Sequence, residues 1–328
     1  PKSYQNMLRL LNIEFHKLKH NRASRVLTII YFALLTSIAL IAAIKFDIGP
    51  IKFHLAEQGI FNFPYIWHFN TFMASIFKFF LLLVIVSMMA NEYSNKTLKQ
   101  NLIDGLSKKE FVLSKFYTVI VFAAISTLFV FVVSLILGLI YSDFNEFSII
   151  FSDLEYLIAF FVKLTAFFAF GLFMGILVKR SAFAVGGILV WFFVESIFKG
   201  FLFWKFNKDK FASNNTVDSD ALSSIGVNDI MQFFPLESMS NLLKQPFTRL
   251  NAVQSVGKQI GENFAQDFAV HWHDLAISSV WIFTTSPLAA VLVWLQPSGL
   301  ITHTSASVLP KYLVSSKKPW QKAYAPLG

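Results

Sequence analysis

Residues 117–140 read YTVIVFAAISTLFVFVVSLILGLI, an unbroken apolar run that contains no charged side chain. At 1.5 Å per residue, a helix of about 20 residues crosses the roughly 30 Å hydrocarbon core of a bilayer. This run is therefore long enough to span a membrane. The composition agrees, because 55% of the 328 residues are hydrophobic, only 14% are charged and 39 are phenylalanine.

Similar apolar runs recur along the chain and predict an all-α, polytopic membrane protein with six transmembrane helices. The last predicted span is the least apolar and contains Pro287, which spanning helices tolerate when neighbouring groups satisfy the freed carbonyl. Together the spans define a transmembrane domain over residues 26–295. The predicted spans are residues 26–44, 72–90, 117–140, 156–178, 182–203 and 275–295.

Lysine and arginine are distributed unevenly between the two sides of the predicted bundle. The segments on the amino-terminal side carry seventeen of them, and those on the other side carry eight. Because positive residues collect on cytoplasmic loops, we expect both termini to be cytoplasmic. The net charge of +9 is then a topology signal and does not indicate a nucleic-acid partner. The absence of cysteine excludes disulfides, thiolate metal sites and cysteine nucleophiles.

Residues 1–25 are predicted to contain a cytoplasmic interfacial helix ahead of the first span. Glu14 and Lys17 fall on its polar side. One hypothesis makes this helix an anchor that binds anionic membrane lipid, and the other makes it a lever that acts on a cytoplasmic partner. Its apolar stripe, at helical spacing, includes Leu8, Leu11, Phe15 and Leu18.

The cytoplasmic loop at residues 91–116 has more pattern than a linker needs. Leu98, Leu102 and Leu106 recur at helical spacing. Gly105 can end that helix, and Ser107 can cap a second one. The loop is therefore predicted to form two short helices at the membrane surface, the second beginning at Lys108.

This loop resembles the corresponding loop of the type-2 ABC exporter permeases (the ABC-2 membrane family). In that family an acidic residue leaving the second span precedes a Gly-Thr or similar pair, a Leu-rich short helix, and a small residue followed by Ser-Arg or Ser-Lys. Lys96 departs from the pattern, because the family often has glycine there. The resemblance covers roughly residues 5–295. The matching positions are Glu92, Thr97, Leu98, Leu102, Gly105, Ser107 and Lys108.

The resemblance implies a permease subunit of an ATP-driven exporter in a bacterial plasma membrane, with this loop as its coupling helix. The implied partners are a separate ABC ATPase subunit, which would bind ATP and Mg, and a second copy or a homologous permease in a dimer. The chain itself is expected to bind no cofactor and to be no enzyme, since it has no Gly-x-x-x-x-Gly-Lys-Ser/Thr phosphate loop. The substrate stays open. An ATP-independent secondary transporter or channel is the alternative hypothesis.

Ionisable side chains inside the predicted spans support two interpretations, which the sequence leaves open. In one, the lysines lie near the outer ends of their helices and reach the headgroups, while Glu195 pairs with Lys199 one turn later. In the other, the set lines an outer vestibule for an anionic or amphipathic substrate. The set comprises Lys78, Lys163, Glu195 and Lys199.

Small residues recur on the fourth and fifth predicted spans. Gly171 and Gly175 form a small-xxx-small motif, and Gly186 and Gly187 follow on the next span. The motif predicts close packing of these two helices, with a dimer contact as the alternative.

Residues 204–274 form a long outer segment between the fifth and sixth spans. Pro235 is predicted to break an amphipathic or re-entrant helix there, and the segment is either an outer gate or a surface cap. His271 and His273 have too few further ligands nearby to predict a metal site. Residues 296–328 are interpreted as an unstructured or foreign tail.

Overall fold

A computed structural model of the chain defines its architecture. The predictions made for Gly105, for the side chain of Leu102 and for the tail at 296–328 lie outside the described residues. The structure describes residues 2–43, 45–48, 51–54, 59–103, 106–144, 146–212, 225–247 and 268–295.

Helices dominate the described chain, and this confirms the predicted helical fold class. The helices up to residue 103 are α1 (Lys2–His20), α2 (Arg22–Ala43), α3 (Tyr65–Ile76), α4 (Lys78–Ser94) and α5 (Thr97–Ile103). The later helices are α6 (Lys108–Tyr141), α7 (Phe147–Ile150), α8 (Glu155–Val178), α9 (Ser181–Ala212), α10 (Ile225–Met231), α11 (Pro235–Asn241) and α12 (Trp272–Leu295).

A short antiparallel hairpin follows α2 and was not predicted. Its strands are β1 (Lys45–Ile48) and β2 (Ile51–His54). Lys45 pairs with His54 at one end of the two strands, and Ile48 pairs with Ile51 at the other. The all-α prediction is therefore correct for the bundle and incomplete for this loop.

Four helical segments in the described residues are long and apolar enough to cross a membrane: α6, the α7–α8 segment, α9 and α12. The pair α3–α4 adds a fifth if it is counted as one bent span. Helix α2 coincides with the predicted first span, although its side chains are described only as far as Ile38. These helices are consistent with a membrane protein.

The predicted second span, residues 72–90, is interrupted. Helices α3 and α4 meet at Phe77 and are bent by 45°. The Phe77 N–H donates to the Ala74 carbonyl at 3.1 Å, and the Phe80 N–H donates to the Phe77 carbonyl at 3.1 Å, so a tighter i→i+3 pattern replaces the α-helical one. Residues 65–94 contain neither Pro nor Gly, the usual signals of such a break.

Helix α8 lies at the centre of the bundle and contacts α4, α6, α9 and α12. In the most apolar stretch of α8, 72% of the residues are buried, whereas in the corresponding stretch of α9 only 17% are buried. The outer surface of α9 is nevertheless apolar, because Phe193 and Ile197 are among its most exposed residues. A helix whose exposed side is apolar is typical of a protein that faces lipid.

The glycine motif of α8 packs against α4, so the prediction that Gly171 and Gly175 face the fifth span is wrong. A Cβ atom added at Gly171 would overlap Cδ1 of Leu82. One added at Gly175 would lie 3.3 Å from Cβ of Met89. The missing side chains therefore allow α4 and α8 to approach closely.

The two glycines of α9 differ from each other. A Cβ atom at Gly187 would lie 2.7 Å from Cε of Met174 on α8. A Cβ atom at Gly186 would have no heavy atom within 4 Å among the described residues. Gly187 thus belongs to the α8–α9 contact, and Gly186 does not.

Ser107 caps α6, as predicted. Its Oγ accepts a hydrogen bond from the Glu110 N–H at 3.1 Å, and the Glu110 carboxylate accepts one from the Ser107 N–H at 3.0 Å. The helix that begins here is not short, however. It continues for 34 residues into the predicted third span, so α5 is the short surface helix of this loop.

The predicted break near Pro235 is confirmed in the outer segment. Helix α10 ends at Met231, and Pro235 is the first residue of α11. Proline suits this position because the first N–H of a helix has no hydrogen-bond partner within the helix. Helix α9 also extends past the predicted end of the fifth span at residue 203, as far as Ala212.

Candidate functional site

Four charged side chains from three helices meet at the carboxyl-terminal end of α4. They are Glu14 and Lys17 of α1, Glu92 of α4 and Lys115 of α6, and we call them the buried ion cluster. Nζ of Lys115 lies 2.5 Å from Oε2 of Glu14 and 2.7 Å from Oε1 of Glu92. Nζ of Lys17 lies 2.8 Å from the same Glu92 oxygen. Two amines thus neutralise two carboxylates at a site where Lys115 is fully buried.

Glu92 also binds the short helix α5. Thr97 Oγ1 donates to Oε2 of Glu92 at 2.5 Å, and Asn101 Nδ2 approaches the same oxygen at 3.4 Å. In the turn before α5, Lys96 has a φ of 55°, in the left-handed region that favours glycine. One carboxylate therefore joins α5 to α1, α4 and α6.

The positive charge of Lys17 is stabilised by the carboxylates of Glu14 and Glu92. Burial alone would lower the pKa of Lys17, but the carboxylates of Glu14 and Glu92 outweigh burial and raise that pKa above its ordinary value. Stability gained from a raised lysine pKa is complete at neutral pH and is lost only as the pH rises through the raised pKa. Lys17 therefore stays charged across physiological pH.

The remaining residues of the predicted coupling loop have separate positions. Leu98, the second residue of α5, is buried in the core of the bundle. Lys108 is the first residue of α6, directly after the Ser107 cap. Ile103, the last residue of α5, is 67% exposed and gives this helix an apolar outward tip.

Helix α1 packs on the protein through a face that differs in part from the predicted stripe. Leu10, which was not predicted, is buried, and so is Glu14, which was assigned to the polar side. The prediction failed there because Glu14 is paired with Lys115 inside the protein. Of the stripe, one residue is buried, two are partly buried and one is exposed: Leu18, then Leu11 and Phe15, then Leu8.

All four residues of the predicted outer vestibule line one cavity of about 280 Å³. The cavity lies between α4, α8, α9 and α11, and we call it the lysine cavity. Its titratable residues come from all four of these helices. They are Lys78, Lys163, Glu195, Lys199 and Glu237.

Glu195 does not pair with Lys199, and that interpretation is wrong. The Glu195 carboxylate accepts hydrogen bonds from the N–H groups of Leu236 at 3.2 Å and Glu237 at 3.0 Å, and from Nε1 of Trp191. Nζ of Lys199 instead lies 2.5 Å from Oε1 of Glu237. Helix α11 thus provides a partner for each of these two α9 residues.

Lys78 and Lys163 have neither an ion pair nor a hydrogen bond within the described part of the chain. Lys163 is only 4% exposed, so it does not extend to the protein surface as the headgroup interpretation required. Nζ of Lys78 lies 4.3 Å from the ring centroid of Phe167, a cation–π contact. Lys163 and Lys78 line the same cavity, so two like charges would repel each other there.

Sequence reasoning missed several members of both sites. Lys115 and Glu14 are separated by 101 residues, and Lys199 and Glu237 by 38. No local spacing reveals such pairs. The available signal was Lys115 itself, a lysine almost adjacent to the apolar run of the third span.

His271 and His273 form no metal site in the described residues. His273 Nε2 lies 3.1 Å from Asp274 Oδ1, and the rings of His271 and His273 stack at 5.3 Å. No group of three or more possible metal ligands occurs in the part of the chain that the structure describes.

Long apolar helices around a buried central helix, with charged sites at both ends of α4, fit the class of helical membrane proteins. The chain belongs to the family described as "Protein of unknown function (DUF2705)", whose family model matches residues 26–215. The match spans α2 to α9 and includes Lys78, Glu92, Lys115 and Lys163. No curated protein matches the chain.

Proposed function

We propose that this protein is the permease subunit of an ATP-driven exporter in a bacterial plasma membrane. Its six spans would be α2, the bent pair α3–α4, α6, α8, α9 and α12, with both termini in the cytoplasm. The asymmetry in lysine and arginine supports this topology. The resemblance of residues 91–116 to the ABC-2 loop supports the class.

The observation that carries the proposal is the buried ion cluster. Glu92 binds Thr97 of α5 while it is paired with Lys115 of α6 and Lys17 of α1. Separating such a buried pair is costly, about 3–5 kcal/mol when one partner is lost. A push on α5 therefore moves α1, α4 and α6 together, as a coupling helix requires.

The ATPase would be a separate subunit that binds ATP and Mg and docks on α5. A second permease copy, or a homologous permease, would complete a dimer, and rigid-body movement of the two halves would alternate access to the substrate. The φ of 55° at Lys96 also supports the resemblance, because the family often has glycine at this left-handed position. In this scheme α11 of the outer segment forms part of an outer gate above the lysine cavity.

Co-purification tests the proposal. The tagged chain is isolated from its native membrane in mild detergent, and co-purifying subunits are identified. We expect the wild type to retain a phosphate-loop ATPase and Ile103→Asp to lose it, because the exposed tip of α5 would then carry a charge in the docking contact. Phe147→Asp is the matched control, since Phe147 is 79% exposed on the predicted outer side.

Two results would contradict the proposal. The first is wild-type protein that carries no ATPase under conditions in which a known ABC complex stays intact. The second is an ATPase that is retained by Ile103→Asp as well as by the control.

An ATP-independent secondary transporter is the second candidate function, and the break at Phe77 favours it. Such transporters bind substrate at interrupted helices within the membrane. Here the break directly precedes Lys78, which lines the lysine cavity. Transport by the purified chain in vesicles without ATP would favour this candidate over the exporter.

A further inference from the structure

The described lining of the lysine cavity contains three lysines and two glutamates, a formal excess of one positive charge. Lys199 is paired with Glu237, and Glu195 accepts hydrogen bonds from α11 and Trp191. These contacts leave the amines of Lys78 and Lys163 without an acidic partner among the described residues. An uncompensated ammonium in apolar surroundings is costly, and a bound anion would remove much of that cost.

The position of Lys78 strengthens this argument. Lys78 is the first residue of α4, directly after the break at Phe77. Its charge therefore adds to the positive end of the helix dipole instead of opposing it. An anion between Lys78 and Lys163 would interact favourably with both amines and with this helix end.

Apart from Ser196 and Ser240, the rest of the cavity wall is apolar, and it continues onto the outer surface of the bundle. Ile188 is buried in the wall, while Phe79, Leu189 and Phe192 are each between 45% and 54% exposed. The cavity of about 280 Å³ is at the small end of ligand pockets, which suits a compact headgroup better than a whole lipid. A hydrocarbon chain attached to that headgroup would lie along the exposed phenylalanine and leucine side chains.

We propose that the lysine cavity binds an anionic amphiphile, with its phosphate or carboxylate headgroup between Lys78 and Lys163 and its hydrocarbon chain against Leu189 and Phe192. The idea that this amphiphile is the substrate of an exporter rests on the proposed function. The idea that the cavity binds the amphiphile does not depend on the proposed function. Trp191 and Glu195 hold α11 in place as one side of the headgroup pocket.

Binding to the purified full-length chain in mild detergent tests the site. Isothermal titration calorimetry compares three probes: dioctanoyl phosphatidic acid, dioctanoyl phosphatidylcholine and inorganic phosphate. We expect the phosphatidic acid to bind about ten-fold tighter than either of the others, because it alone provides both the anionic headgroup and the chains.

Variants identify the residues that hold the headgroup. Lys163→Met should weaken phosphatidic acid binding by about ten-fold, the loss expected for a charge-assisted hydrogen bond. Lys163→Arg is the charge-conserving control and should retain binding, which would show that substitution at this position does not by itself abolish binding. Lys208→Met on the neighbouring helix α9 removes an equal charge outside the cavity and should bind like the wild type.

Several outcomes would overturn the proposal. Equal binding of phosphatidylcholine would exclude selection of an anion, and equal binding of inorganic phosphate would exclude a role for the chain. Unchanged affinity in Lys163→Met, with elution on size exclusion like that of the wild type, would exclude the lysine cavity. If Lys163→Met fails to fold, Lys78→Met is measured in its place. The same ten-fold loss of affinity is expected, and unchanged affinity would exclude the lysine cavity.

The substrate assignment has its own readout, so the two proposals can fail separately. Phosphatidic acid should stimulate ATP hydrolysis by the reconstituted complex with its ATPase, and Lys163→Met should abolish that stimulation. Binding without stimulation would make the amphiphile a structural lipid and overturn its role as substrate. Failure to recover any ATPase would contradict the exporter and leave the binding result unaffected.

Discussion

Lys115 is a fully buried amine that holds the carboxylates of Glu14 and Glu92 on two other helices. Lys115→Met would leave these two carboxylates close together, with only the partly exposed Lys17 as a cation between them. We expect the free energy of unfolding to fall by about 3–5 kcal/mol, the usual penalty for breaking a buried pair from one side. Denaturant unfolding of the purified protein in detergent measures this change.

Lys17→Met is the control for that variant. Lys17 binds the same two carboxylates, but its side chain is 36% exposed, so water partly replaces its contribution. We expect a loss of at most about 1 kcal/mol, as for exposed ion pairs. Equal losses in the two variants would show that burial of Lys115 does not set the strength of the cluster.

The charged residues also show what local sequence leaves undetermined. The resemblance to the ABC-2 loop identified Glu92 and Thr97, and the local pattern identified the cap at Ser107, whose partner Glu110 is three positions away. The burial of Glu14 depends on Lys115, 101 residues along the chain, and no helical periodicity contains that information. The four vestibule residues were correctly grouped because charges inside a membrane are costly wherever their partners lie.

At the level of helices, substitution by alanine should have opposite effects on stability at Gly171 and at Gly186. A Cβ at Gly171 would overlap Leu82, which is completely buried and has little room to move. We expect Gly171→Ala to destabilise the protein by about 1–3 kcal/mol through overpacking between α4 and α8. Thermal unfolding in a single detergent detects this loss.

Gly186→Ala provides the comparison, because a Cβ there meets open space. Alanine is the better helix former, so this variant should match the wild type or exceed it by about 0.5–1 kcal/mol. A stable Gly171→Ala would show that α4 and α8 do not rely on this close approach.

The break between α3 and α4 explains why helix boundaries were harder to predict than helix identity. Residues 72–90 are apolar except for Ser75, Lys78 and Ser87 and contain no helix breaker, so hydropathy alone predicts one span. The turn at Phe77 depends on i→i+3 hydrogen bonds and on tertiary packing, and no Pro or Gly marks it in the sequence. In contrast, the break at Pro235 was predictable because proline itself causes it.

At the scale of the molecule, the fold and the proposed mechanism depend on opposite ends of α4. Lys78 and Glu92 are separated by roughly 21 Å along this helix, at 1.5 Å per residue. One end lines the lysine cavity, and the other binds α5 through Glu92. Helix α4 would therefore connect the proposed ligand site directly to the proposed ATPase site. This requires that its two ends lie on opposite sides of the membrane.

Single-cysteine labelling tests that condition, and the chain suits it because it contains no cysteine of its own. Ile103→Cys on α5 and Phe147→Cys on α7 replace residues that are 67% and 79% exposed, so both thiols should be reactive wherever a reagent has access. A membrane-impermeant maleimide should label Phe147→Cys in intact cells and Ile103→Cys only after the membrane is opened. The reverse pattern would place α5 outside, beyond the reach of a cytoplasmic ATPase. The exporter proposal would then be untenable, while an ATP-independent transporter would remain compatible with the break at Phe77.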